Sequence, residues 1–481
     1  MTIRKERWNA SLLIAYLTGF FLLFEQEKSI NFPGSAEILP WIRVAEIILL
    51  GAVLFRVPYR EHPWYILMIL AVLVIFVTSA IRSASALNKA KTTLNHAVLV
   101  YLLCPAVGLL IAGDSRKRFL KILIAVWTAI HVAMSVVGFY AVYHGLRIMN
   151  YAQTYYIGLM DVDVKALVLW DHNCNSTSVV LTISIAVSLI GFAISEKRGI
   201  KAIYLLAAAV MFIAQTMTGG RSGELSSLIG FGVAAAALCQ KPMCRKVRKK
   251  WLRILLSLLL VAAVAVGGLF LVQWTQAGIN RVMQQRLSLL PVASAEAEQT
   301  SADRPAVEET PVAEPTALQP TPTPPSIRER SFLQAYFLTG RAEIWREALG
   351  AIQKKPSLLL TGTSVTTVMK DLKEITKLPP NLAHLHNEFL QVLLCTGIWG
   401  AMLFLLFVFF ALRAAYRLFF DDERPLWERL IMLPFLCLFA IDQVEAVRLT
   451  SRPDLNALVF LFAGVGLALA FRQRKPDASG A

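Results

Sequence analysis

The sequence predicts an all-α, polytopic integral membrane protein of about twelve transmembrane helices, with one large extracytoplasmic loop between helices 9 and 10. Three observations point there. Apolar residues make up 56% of the 481 and charged residues only 17%. The apolar residues fall in blocks near the roughly 20 residues needed to cross a hydrocarbon core. The basic residues, source of a formal charge of +16, stand in short clusters beside those blocks. Such clusters encode orientation, so the charge does not require a nucleic-acid partner.

Taken in order, the expected spans lie near 9–24, 39–55, 63–81, 94–112, 119–143, 176–195, 200–217, 223–240, 252–273, 388–412, 428–447 and 455–471, each bounded by charges, Pro or Gly. The first has a charged start, but Glu25-Gln-Glu-Lys follows it where a cleavage site would need small residues, so it reads as a retained span. Clusters such as Arg4-Lys5-Glu-Arg7, Arg116-Lys-Arg118 and Arg245-Lys-Val-Arg-Lys-Lys250 all fall on one side if the N-terminus is inside, which makes both termini cytoplasmic. Arg82, Lys89 and Lys91 fall on the outer side, against the trend. The six cysteines, at 104, 174, 239, 244, 395 and 437, show no metal-ligand spacing and read as small buried residues.

This divides the chain into helices 1–9 (1–273), an extracytoplasmic loop (274–387), and helices 10–12 with a cytoplasmic tail (388–481). Within the loop, 291–325 is a Pro/Thr/Ala-rich linker expected to be disordered, and 328–387 a helical cap. In the cap, Trp345, Leu349 and Ile352 share one helical stripe that should lie against protein or membrane. A second outward segment, Tyr143 to Asn175, is tyrosine-rich and holds Asp161, Asp163, Asp171, His172 and Asn173. It reads as a partly folded flap with rings suited to sugar faces.

Three polar stretches carry chemistry. His384-Leu-His386-Asn387 runs without an evident breaker into an apolar helix. The helix dipole there favours a neutral imidazole, suited to a general base; the alternative is a wet interface turn. Arg341 opens the cap helix, where free backbone N–H groups already favour an anion and a guanidinium adds a phosphate-binding fork; the alternative is a surface helix residue. Arg221, in Thr218-Gly-Gly-Arg-Ser-Gly, opens the eighth span between glycines that let a ligand approach; the alternative is a snorkelling arginine. All three fall on the outer face of the charge-derived topology. Asp442 and Glu445 end the eleventh span as candidates of lower rank, with pairing to Arg448 or Arg452 as the structural alternative. Arg43 and His131 read as structural.

From His386, the order His-Asn, nine residues, Gly397, two residues, Gly400 is similar to the signature of the O-antigen ligase and polymerase family. Thr339-Gly-Arg-Ala-Glu-Ile-Trp and the glycine-flanked Arg221 also resemble stretches of that family, whereas the proline-rich insert is not part of its pattern. The resemblance implies a metal-independent transfer, without cofactor, of a glycan from an undecaprenyl-diphosphate carrier to a hydroxyl of a glycan or lipid acceptor, at the outer face of a bacterial inner membrane. By it, His386 is the base and Arg221 and Arg341 hold the diphosphate. Asn387 is placed to orient His386, His384 stands behind it, and Asn173, like Asp442 and Glu445, is a candidate for substrate contact. A repeat-unit polymerase would use the same donor. A polysaccharide transporter or flippase would instead place charges deep in several spans, and a non-catalytic scaffold would leave the paired arginines without a purpose.

Overall fold

A computed structural model describes residues 44, 48, 51–52, 62–82, 97–113, 117–144, 146–149, 156–160, 166–171, 174–287, 341–365, 367–380, 382, 384–446 and 453–471. The helices are α1 (Trp64–Arg82), α2 (Cys104–Ile111), α3 (Arg118–His144), α4 (Cys174–Ile194), α5 (Arg198–Thr218), α6 (Arg221–Lys246), α7 (Lys250–Leu287), α8 (Arg341–Lys354), α9 (Ser357–Thr361), α10 (Val368–Ile375), α11 (Glu388–Phe419), α12 (Leu426–Leu430), α13 (Leu433–Asp442) and α14 (Pro453–Phe471). Among the described residues, six helices are long and apolar enough to cross a membrane, and three shorter apolar ones accompany them. The chain is therefore a mostly helical membrane protein. The first expected span and nearly all of the second, the linker and Arg43 lie outside the described residues.

The order of burial sorts the helices. In α4 89% of the most apolar window is enclosed by protein, and in α7 only 17%, so α4 is the axis of the bundle and α7 meets the lipid. The lipid-facing residues of α7, among them Leu258, Leu259, Val266 and Phe270, are more than half exposed. At the axis, polar side chains are satisfied by hydrogen bonds to neighbouring helices, as a dry interior requires. Trp127 donates to Ser184 Oγ at 2.9 Å, and Ser188 donates to the Tyr204 carbonyl at 2.8 Å. The ring of His131, read above as structural, is stacked on Trp127 with centroids 4.4 Å apart.

Small residues set the closest crossings. A Cβ on Gly108 would lie 2.1 Å from the Leu461 carbonyl oxygen, and one on Gly464 would lie 2.3 Å from that of Pro105. The backbones of α2 and α14 thus touch. Ahead of α2, residues Leu99–Leu103 form a π-helical turn. Pro105 supplies its cause, since it has no N–H for the carbonyl four residues earlier. The Tyr65 hydroxyl donates to the Leu102 carbonyl at 2.6 Å.

Four expectations need correction. The all-α expectation holds for most of the chain and needs one local correction: within the expected flap, β1 (Arg147–Met149), β2 (Tyr156–Met160) and β3 (Ala166–Asp171) form an antiparallel meander in that order. Leu167 and Leu169 of β3 press on Gly138 of α3, so the sheet is docked by its apolar face. The eleventh span is not one helix: α12 stops at Leu430 and α13 begins at Leu433. Pro434 explains the break, because its ring clashes with the carbonyl four residues back. In the cap helix, Ala348 and Ala351 are buried while Leu349 is 50% exposed. The packed stripe is one of small residues, which allow close approach, and Leu349 lies off it.

The fourth correction shapes the site. The tenth span, expected to run unbroken from residue 388, is two helices joined at Gly397, whose φ of 67° and ψ of −171° are not helical. The rings of Phe389 and Phe404 lie 5.3 Å apart, whereas one straight helix would separate them by about 22 Å. The segment from Glu388 to Thr396 is therefore folded back against the remainder, and only Ile398 to Phe419 is left to cross a membrane. A loop of the cap holds the bend open. Thr363 donates its N–H and its hydroxyl to the Leu394 carbonyl, at 2.8 and 3.0 Å, replacing the helical partner that the bend removes.

Candidate active site

The fold-back carries His384–Asn387 to the mouth of the bundle, where the loop is tied on both sides. Trp345 Nε1 of the cap helix donates to the Leu385 carbonyl at 2.9 Å, and the Leu385 N–H donates to Gln391 Oε1 at 3.1 Å. Asn387 is the N-cap of α11: its side-chain oxygen accepts from the Leu390 N–H at 2.9 Å while its amide donates to the Gln443 carbonyl at 3.0 Å. Both of these contacts are to backbone groups. Between these anchors His386 has a φ of 53°, an uncommon conformation for a non-glycine residue and one that clusters at functional sites.

Glu445 is the centre of the arrangement. It lies beyond the last residue of α13 and is 4% exposed. One of its oxygens takes the Arg341 guanidinium, and the other takes His386 Nδ1 at 2.8 Å. A carboxylate flanked by these groups can only accept, so His386 donates through Nδ1, which in a neutral ring leaves the lone pair on Nε2, the tautomer a general base needs. Burial works to raise the Glu445 pKa, but the His386 hydrogen bond and the Arg341 charge outweigh it and hold the carboxyl below its ordinary value. The ring of His384 lies 4.2 Å from that of His386, and its Nδ1 accepts from the His386 N–H at 3.3 Å. Burial above all, then the neighbouring His386, lowers the His384 pKa to about 4, so this ring is neutral near pH 7.

Arg221 opens α6, and the glycines beside it are pressed onto Ser178 of α4. A Cβ on Gly220 or Gly223 would lie 2.4 or 2.2 Å from that side chain, and Ser178 Oγ donates to the Gly220 carbonyl at 2.8 Å. Ser226 Oγ donates to the Cys437 carbonyl at 2.7 Å, while Arg429 lies near Cys244 at the far end of α6. The helices α6 and α13 are thus antiparallel, and Arg221 stands at the same end of the bundle as Asp442. Asp442 itself is fully buried at the end of α13. Asn173, Arg448 and Arg452 lie outside the described residues. Of the expected site residues, the structure brings together His384, His386, Arg341 and Glu445, with Asn387 adjacent. What sequence reasoning misplaced is the rank of Glu445, whose partner is Arg341, 104 residues away in the chain. It also passed over Glu224, a buried carboxylate one turn inside Arg221 that receives Gln276 Nε2 at 3.3 Å.

Residues 206–405 match the family model described as O-antigen ligase. Over that stretch, about two-fifths of its length, the chain is similar to the O-antigen ligase family. No curated protein gives a match. The O-antigen ligase region begins within α5 and ends within α11, so it contains Arg221, Arg341, His384, His386 and Asn387. Glu445, which completes the cluster, comes from the helices that follow it.

Proposed function

We propose that the protein is a membrane glycan ligase that moves a glycan from an undecaprenyl-diphosphate carrier to an acceptor hydroxyl at the extracytoplasmic face. The observation that carries this reading is the meeting of a guanidinium and an imidazole on one buried carboxylate, Glu445. His386 Nε2 takes the proton of the acceptor hydroxyl as its oxygen bonds to the glycosyl carbon. The bond from that carbon to the diphosphate oxygen breaks, and the electron pair leaves with the lipid diphosphate. Arg341, with its side chain 28% exposed, keeps donors facing the mouth, and Arg221 supplies a second guanidinium at the same end of the bundle. Both answer the charge that develops on the leaving diphosphate.

The decisive experiment incubates the purified protein with an undecaprenyl-diphosphate glycan and candidate acceptors and identifies the product. Transfer to a lipid core, protein or wall polymer supports the ligase, and growth of the donor glycan itself identifies a repeat-unit polymerase working through the same residues. No product with either, while the donor still binds, overturns the reading. Arg221→Lys and Arg341→Lys should each lower turnover well beyond a charge-conserving change, since an ammonium cannot present the fork.

A further inference from the structure

We propose that His384, His386 and Glu445 form an inhibitory binding site for a zinc-like divalent transition-metal ion. One ligand atom from each of the three lies within 4.8 Å of the other two. Two imidazoles and a carboxylate are a ligand set of borderline-soft character that suits zinc or cobalt rather than magnesium. Closing the ligand atoms to a tetrahedral shell, with zinc to nitrogen distances near 2.0–2.1 Å, needs side-chain adjustments of about an ångström and leaves the fourth position to water. The surroundings favour those shifts: the two histidines are on one short loop, and their rings already touch at 4.2 Å.

Two further features fit an ion. Glu445 is buried and held from its other side by Arg341, an outer contact of the kind that orients a ligating carboxylate. His384 stands on the same short loop with its Nδ1 held only by the His386 N–H at 3.3 Å, a long contact that an ion taking the Nδ1 lone pair would replace. The Arg341 charge opposes a cation, so binding should be moderate and reversible. An ion here either takes the free lone pair of His386 or displaces the hydrogen bond from His386 Nδ1 to Glu445. Either event removes the base, so occupancy stops transfer without needing to displace the lipid-linked donor.

Inhibition rests on the functional reading above, but binding does not, and the test keeps the two apart. Full-length protein, freed of metal by a chelator, is titrated with Co2+ alone and followed by visible absorption. The expected result is the intense d–d bands of a four-coordinate site, abolished by one equivalent of Zn2+ and unaffected by excess Mg2+. His384→Asn and, as an independent variant, Glu445→Gln should each weaken binding at least 10-fold. Zn2+ at the same concentrations should arrest transfer, and the chelator should restore it. Octahedral Co2+ spectra, or Zn2+ affinity unchanged in both variants, would overturn the site. Metal binding as expected with transfer unaffected would overturn the inhibitory role alone.

Discussion

At the scale of single residues, the site is a chain of charge and lone pairs: a guanidinium, a carboxylate, an imidazole, and a second imidazole set edge-on against the first. His386→Ala should reduce transfer by about 10²–10⁴-fold, the usual contribution of a positioned base, with donor affinity nearly intact. Binding of labelled donor measured beside turnover separates the two effects, and unchanged turnover would remove His386 from the mechanism. Glu445→Gln tests positioning: it keeps the shape, loses the charge between Arg341 and His386, and should lower turnover while shifting the acid limb of the pH profile downward, since the imidazole loses its anion. A flat response in both turnover and pH profile would leave Glu445 a purely structural residue. His384 makes a separate prediction. Its pKa is lowered from 6.5 to about 4 on folding, so the unfolded chain binds more protons between those values, and this group's contribution to stability is lost as pH falls from about 6.5 towards 4. Thermal unfolding in detergent across that window should show the loss, and His384→Asn should flatten it.

At the scale of elements, the bend at Gly397 decides where the histidines sit. Gly397 and Gly362 meet back to back: a Cβ on Gly397 would lie 2.5 Å from the Leu360 carbonyl oxygen, and one on Gly362 would lie 2.5 Å from that of Cys395. Gly397 at φ 67°, ψ −171° occupies a backbone region almost reserved to glycine. Gly397→Ala combines that strain with a backbone clash and should cost about 3 kcal/mol or more, read as a lower melting temperature together with lost transfer. Gly267→Ala, where a Cβ meets nothing within 4 Å, is the matched control and should be nearly neutral. The sequence already held the glycine in the family-like spacing, and its helix-period apolar pattern on both sides concealed what it does. Periodicity reports which faces are apolar and is blind to a reversal between two apolar helices. The same blindness hid the break before Pro434, and the short meander hid because strands of three to six residues carry little alternation to read. Most helices, by contrast, begin and end near the charges and glycines that mark them, because length and hydropathy are local properties. Arg341 and His386 were legible as chemistry, but their common partner was not, since nothing local links residue 341 to residue 445.

At the scale of the molecule, a single orientation ties these pieces together. Arg221 opens α6, Glu445 follows α13, His386 precedes α11 and Arg341 opens the cap, and hydrogen bonds and helix directions bring all four to one end of the bundle. The opposite end carries its own polar system: Arg424 bridges Asp421 and Glu428 at 3.0 and 2.8 Å, and the Lys117 ammonium lies 4.2 Å from the centre of the Trp427 ring. Loops rich in Arg and Lys gather there, and the orientation we propose from the positive-inside rule makes that end cytoplasmic and the cap extracytoplasmic. Cysteine accessibility tests this directly. The half-buried native Cys174, Cys239 and Cys244 are replaced first, and a single cysteine is then placed either at the exposed Leu349 of the cap or at Lys249 between α6 and α7. A membrane-impermeant maleimide applied to intact cells should label position 349 and spare 249 until the membrane is opened. The reverse pattern would put the Arg341, Glu445 and His386 cluster on the cytoplasmic side, away from any acceptor outside the membrane, and the transfer proposed for it would have to be abandoned even with every contact in the cluster unchanged.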